Sequence, residues 1–409
     1  MADHAPAPRS GGRAPAPDLA RGVMLLPIAL ANVPWFLFGA VTSGVGAHRT
    51  GATGADALWQ TVAIVAVDGR SYPLFAFLFG YGLWQLYARR QGRAPDGAPA
   101  LRLLRSRHLW MIAFGAVHAA LLWSGDVLGA YGLVGLVVTG LFLRRASGTL
   151  VAWAAGLACL LGLAAAAAVV AAAVTAHGPA PSPGAVPQLA GITPYAASVL
   201  PRLGMWAVVT VGQGLLGLVV PIAVLVAIVC ARHRVLEEPG AHRPLLVRTA
   251  ILGIAAGWAG AAPSALVHHG VWDLPEWAPV MLNGFTGLFA GLGYAALIAL
   301  VAARVTASRE PGPLVSALTA TGRRSLSCYL FQSAVFAPVL CAWGLGLGGV
   351  LTQWQAALLA VATWLVSVAL AAALERAGRH GPAERLLRTL ARGRAPAAPA
   401  EPAGSAGPG

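Results

Sequence analysis

The chain has 409 residues, of which 57% are hydrophobic and only 10% charged, with a formal net charge of +14. That balance is too apolar for a soluble domain of this length and points to a bilayer as the surrounding medium. Nucleic-acid binding would need the positive charge gathered on one exposed face. Here the basic residues, all arginine and never lysine, punctuate apolar runs instead.

A hydrocarbon core roughly 30 Å thick takes about 20 apolar residues of helix. Ten runs approach that size: residues 22–41, 71–88, 108–123, 127–143, 150–175, 203–231, 249–267, 279–303, 325–347 and 354–374. Residues 1–20, rich in Pro, Ala and Arg, read as a disordered tail. Arg21 before an apolar run admits a signal peptide, but the run is long for one and no cleavage site is clear, so an uncleaved first helix is expected. Residues 42–70 follow as an outer segment whose part 57–67 suits a short interfacial helix anchored by Trp59. The Pro-rich stretch 176–201 reads as irregular.

Arginine orders the runs. With the N-terminus inside, the inner segments hold Arg9, Arg13, Arg21, Arg89, Arg90, Arg93, Arg102, Arg105, Arg107 and most later arginines, while Arg49, Arg70 and Arg202 are left outside. Arginine near helix ends is retained on the cytoplasmic side. The expectation is an all-α, polytopic transmembrane bundle of about ten helices over residues 21–374, both termini cytoplasmic, in a bacterial inner membrane. Residues 375–394 follow as a basic segment in which Leu386, Leu387 and Leu390 oppose Arg385, Arg388 and Arg392. That amphipathic pattern suits an anionic membrane surface. Residues 395–409 read as a second disordered tail.

The most specific stretch runs from Gly115 to Leu136. His118 lies in apolar sequence and needs a partner there. Asp126 follows the Ser124-Gly125 turn, about 12 Å further along a continuous helix. It either folds back to orient His118 or caps the next helix, where a carboxylate is favoured by free N–H groups. Capping is the expected main role, and the two are compatible. Asn32, Asn283, Tyr329 and Gln332 are further polar groups in apolar runs. Tyr329 and Gln332 share one helical face, either lining a cavity seen by His118 or locking helices together. Asp68 and Arg70 open the second span, with a surface ion pair as the plain expectation. Cys159, Cys230, Cys328 and Cys341 are scattered singly, without metal-ligand or disulfide spacing. His268 and His269, with Asp273 and Glu276, read as a solvated outer loop rather than a metal site, so no metal is assigned. Gly253-Gly257 and Gly287-Gly291 spacings read as helix packing.

Four stretches carry a family resemblance: Arg21-Gly22 with Asn32; Leu74-Phe-Ala-Phe-Leu-Phe-Gly80-Tyr-Gly82; the His118 to Leu136 hairpin; and Gly322-Arg-Arg-Ser-Leu-Ser-Cys-Tyr329-Leu-Phe-Gln332-Ser333. Gly381-Pro-Ala-Glu384-Arg-Leu-Leu-Arg388 adds a C-terminal signature. The chain resembles the YeiB-like family of bacterial membrane proteins, whose C-terminal half is a domain of unknown function. The resemblance implies a distant likeness to transmembrane acyltransferases, which move an acyl group from cytoplasmic acyl-CoA to an acceptor on the far side. In the acyltransferase-3 pattern a catalytic histidine follows the opening arginine by eleven residues. Asn32 stands there and cannot act as a base. Enzymes that acetylate heparan glucosamine share the asparagine and place their histidine further on, where His48 is the nearest candidate at a different spacing.

The expectation drawn from all this is an acyltransferase with His118 as base and Asp126 beside it. Asn32, Asp68, Arg70, Tyr329 and Gln332 would line the cavity. Acyl-CoA would serve as cosubstrate, with an acceptor from outside and no permanently bound cofactor. The rival is a transporter or export component for a small solute.

Overall fold

The computed structural model describes residues 15–44, 46–91, 98–175, 188–306 and 312–392. Among them the structure is helical, apart from one isolated antiparallel bridge between Thr42 and Arg49. In chain order the α-helices are α1 (Pro15–Asn32), α2 (Gly54–Val62), α3 (Ser71–Gln91), α4 (Ala98–Leu121), α5 (Leu128–Leu141), α6 (Ser147–Thr175) and α7 (Tyr195–Val211). They continue with α8 (Val219–Arg232), α9 (Arg243–His268), α10 (Trp277–Thr306), α11 (Pro313–Arg323), α12 (Ser325–Leu340), α13 (Gln353–Arg376) and α14 (Pro382–Arg392). The all-α bundle expected from the sequence is the one observed.

Seven helical stretches among the described residues are long and apolar enough to cross a bilayer, and α5, α8 and α12 are shorter apolar helices. The protein is a multi-pass membrane protein. α6 shows this most plainly, with Leu160, Leu163 and Val170 exposed along it. A helix apolar on all sides needs lipid or protein around it.

Several boundaries depart from the sequence reading. α1 begins at Pro15 and buries Asp18, Leu19 and Ala20. The tail expected through residue 20 therefore ends sooner, and residues 1–14 lie outside the described part, as do 176–187 and 393–409. Helix α7 starts at Tyr195 with Pro201 inside it, so the irregular stretch stops earlier than its proline content suggests. The run 203–231 is not one helix: a π-turn over Gly212–Leu216 and Leu218 at φ 60° separate α7 from α8. The cause is local, since Gly212, Gly214 and Gly217 weaken the helix where it breaks. The interfacial segment 57–67 instead forms the end of α2 and a second π-turn, Ala63–Val67.

Helix α11 was hidden in what read as an inner loop. It lies against α1 at two glycines. A Cβ on Gly22 would stand 1.9 Å from the Leu318 carbonyl oxygen, and one on Gly322 only 1.7 Å from the Asp18 oxygen. Backbone meets backbone there, which small residues alone permit. The same device joins α9 to α10, where a Cβ on Gly253 would meet the Phe289 oxygen at 2.4 Å and one on Gly257 the Ala290 Cβ at 2.2 Å. At the end of the bundle away from most arginines, Phe36 stacks on Trp123 with ring centres 4.5 Å apart. Arg49 fastens the 42–49 loop to the α12–α13 connection through the carbonyls of Leu351 (2.9 Å) and Gly348 (2.9 Å). Burial lowers its pKa from the usual arginine value, opposed by nearby Asp56.

Candidate functional site

The turn between α4 and α5 builds a buried acid–imidazole pair. His118 ends α4 and Asp126 precedes α5, and the reversal at residues 122–126 brings them together. His118 Nδ1 donates to Asp126 Oδ2 at 2.7 Å, and the residues are 5% and 0% exposed. The other carboxylate oxygen accepts the amides of Leu128 (2.9 Å) and Gly129 (3.3 Å). Asp126 thus orients the histidine and caps α5 at once. Because the turn folds back, the separation along the chain is no obstacle.

Tyr329 of α12 closes the group. Its ring lies edge-on to His118 with centres 5.5 Å apart, and its hydroxyl donates to Asp126 Oδ2 at 3.4 Å. With Nδ1 bound to the carboxylate, the acceptor nitrogen of His118 is Nε2, which is buried and has no hydrogen-bond partner among the described residues. That nitrogen is therefore open to a hydrogen bond from a ligand or a water. Arg202 of α7 braces the turn, giving Nη2 to the Ala120 carbonyl at 2.6 Å and Nη1 to Ser198 Oγ at 2.8 Å.

Tyr329 also faces a cavity of about 430 Å³, within the range of small-molecule sites. Its inner wall holds Asn32, Ser71, Tyr72, Phe75, Val127, Leu128 and Tyr131. Its other end carries seven arginines: Arg21, Arg89, Arg90, Arg107, Arg323, Arg388 and Arg392. Roughly 25 Å of helix rise separates Tyr72 from Arg89 along α3. Arg89, Arg90, Arg388 and Arg392 take part in no ion pair among the described residues. They are donors for an anion, whereas Arg323 already meets Glu375 at 2.5 Å.

Helix α14 forms part of that mouth. Glu384 holds it to the start of α12, accepting the amides of Leu326 (2.8 Å) and Ser327 (3.1 Å) and the Ser327 hydroxyl (2.5 Å). Leu387 and Ala391 are buried while Leu386 is exposed. Its apolar side is therefore divided between the protein and its surroundings.

The sequence candidates fall into three places. His118, Asp126 and Tyr329 form one group, with Asn32 on the cavity wall nearby. Gln332 is buried but gives its amide to the Leu25 carbonyl at 3.0 Å, tying α12 to α1. It locks helices and does not line the cavity. Asp68 and Arg70 belong to a separate polar cluster and form no surface pair with each other. Asp68 Oδ2 accepts from His48 Nε2 at 2.7 Å. The Arg70 guanidinium, fully buried, reaches Asn283 Oδ1 and, at 2.6 Å, the Gly257 carbonyl. His268 is not in a solvated loop: it is 8% exposed, between Ser43 Oγ and Gln60 Oε1, each at 2.9 Å. Gly270, at φ 70° just past the end of α9, marks where the helix stops, but the burial of His268 comes from Ser43 and Gln60, distant in sequence.

The sequence reading missed Tyr72, Tyr131 and the joint role of the arginines. The arginines order the spans and, at Arg388 and Arg392, suit a membrane surface, but their convergence on one cavity depends on four separate segments meeting.

Residues 230–394 match the family model described as protein of unknown function DUF418. The chain is 36% identical over 121 residues to the uncharacterised protein YeiB of Escherichia coli, covering 29% of each chain. It is 36% identical over 90 residues to the uncharacterised protein YxaH of Bacillus subtilis, covering 22% of this chain and 21% of that one. An uncharacterised 39.9 kDa protein from the amylase 3' region of Bacillus acidopullulyticus is 35% identical over 121 residues, 30% of this chain and 32% of that protein. The matched stretches thus span about a fifth to a third of these relatives.

Proposed function

For this YeiB-like membrane protein with a DUF418 segment, we propose acyl transfer from a coenzyme A thioester entering at the arginine-rich, cytoplasmic end to an acceptor hydroxyl from the other side. One observation carries the reading: a single cavity runs from a cluster of arginines to Tyr329, behind which His118 and Asp126 stand in direct contact with its ring and hydroxyl. Guanidinium groups suit the phosphates of such a donor. The apolar middle of the cavity suits its arm.

In this reading His118 Nε2, once the Tyr329 ring turns aside, takes the proton of the acceptor hydroxyl as its oxygen attacks the thioester carbonyl. The carbon–sulfur bond then breaks, and the leaving thiolate takes the proton back from the imidazolium. Asp126 keeps Nδ1 protonated and stabilises the charge formed on the ring.

The test uses purified full-length protein in detergent, measuring acyl-CoA binding and turnover for wild type and His118→Ala. Saturable binding by both, with turnover lost only in the variant, supports the reading. Absence of acyl-CoA binding at millimolar concentration by the wild type sinks it and leaves the cavity to a transported solute.

A further inference from the structure

A second pocket of about 310 Å³ lies beside the α7–α8 break, lined by Val208, Val209, Gly212, Gln213 and Val219 together with Tyr72. Tyr72 is the residue common to this pocket and to the arginine-lined cavity. Its carbonyl accepts the hydroxyl of Tyr131 at 3.1 Å, and Tyr131 lies in the first turn of α5, the helix that Asp126 caps. The two voids therefore meet at Tyr72, and Val127 and Leu128, which follow Asp126, line the larger one beside it.

We infer that this lateral pocket receives the hydrocarbon chain of the acyl donor, with Tyr72 as the door between chain pocket and cavity. The inference rests on the donor reading above and narrows it to medium- or long-chain acyl groups over acetyl. Val208, Val209 and Val219 make its walls mainly apolar, with Gln213 as the polar exception, and two of the turn's amides are paired within it: Gly217 donates to the Gly212 carbonyl at 2.6 Å and Val219 to the Gly217 carbonyl at 2.7 Å. An apolar guest therefore strands neither of these backbone amides. The space itself comes from missing side chains, since a Cβ on Gly212 would meet nothing within 4 Å. A chain leaving the thioester at the trio has this pocket as its neighbouring apolar volume.

The experiment measures binding of coenzyme A, acetyl-CoA and octanoyl-CoA to the full-length protein in lipid nanodiscs by calorimetry. Each methylene moved from water into an apolar pocket is worth about fourfold in affinity. The wild type should prefer octanoyl-CoA to acetyl-CoA by about tenfold or more, after competition from the surrounding lipid. Gly212→Leu fills the pocket and should cut that ratio to about one, while Tyr72→Ala should raise it. Val208→Trp, at a position 67% exposed, serves as a second filler should Gly212→Leu fold poorly. Failure of the wild type to bind coenzyme A overturns the donor reading itself. Coenzyme A binding without chain-length preference, or a ratio unmoved by a folded filler variant, overturns the chain pocket alone. So does a membrane lipid retained in the pocket that octanoyl-CoA does not displace.

Discussion

Asp126 holds His118 with one carboxylate oxygen, at 2.7 Å, and the first amides of α5 with the other. One side chain thus both orients the imidazole and caps a helix, and the two roles separate by substitution. In Asp126→Asn an amide oxygen still caps α5, but the imidazole is left without its anionic partner and can take the tautomer that blocks Nε2. The expected outcome is a near wild-type melting temperature with transfer reduced about 10²-fold to 10⁴-fold. Asp126→Ala should lose the same activity and also about 1–2 kcal/mol of stability. Thermal melts beside turnover assays decide it, and equal melting of the two variants would contradict the dual role.

The arginine mouth predicts an ionic-strength signature. Arg89→Gln and Arg388→Gln, at exposed positions, should each weaken coenzyme A binding about fivefold at low salt, and less at high salt. Titrations at two salt concentrations test this, while unchanged melting curves show that the bundle is intact.

The crossing of α1 and α11 is held at backbone contact. Gly322→Val places a branched side chain where a single Cβ would already lie 1.7 Å from the Asp18 oxygen. Overpacking of this kind costs about 1–3 kcal/mol where neighbours yield, and backbone yields least. The variant should give little folded protein by size-exclusion chromatography. Gly204→Ala, with open space around its Cβ position, should melt at or slightly above the wild-type temperature, by about 0.5–1 kcal/mol of helix propensity.

Arg70 is fully buried, with Asn283 as its side-chain acceptor. Asn283→Leu removes that acceptor and should destabilise by about 1–3 kcal/mol. Asn283→Asp, which keeps an acceptor oxygen, should recover most of the loss in the same melting experiment.

The bundle was legible because apolar run length and arginine spacing report on helices that must bury or face lipid. Helix α11 was not, since its residues Pro313–Arg323 are only moderately apolar and pack through Gly322 against α1. The break between α7 and α8 carried a signal in Gly212, Gly214 and Gly217, but glycine is common in membrane helices and the run stayed apolar through it. His118 and Asp126 stood out as ionisable groups in apolar sequence. Their contact depends on the fold-back of residues 122–126, which spacing alone leaves open. His48 and Asp68 lie twenty residues apart, and nothing local ties them. Such pairs are set by tertiary packing, and so is the gathering of arginines from four inner segments into one mouth.

The DUF418 match begins at residue 230, inside α8, yet α11 of the matched part is locked onto α1 through Gly22 and Gly322, and α14 leans on α4. The family boundary therefore does not coincide with a seam in the molecule. Residues 230–394 expressed alone would leave the α11 crossing without its other half. The two parts made as separate polypeptides in one cell should find each other, so that a split version regains a complete bundle only when both fragments are present. Changes on either side of that crossing are bound to be tolerated jointly or not at all.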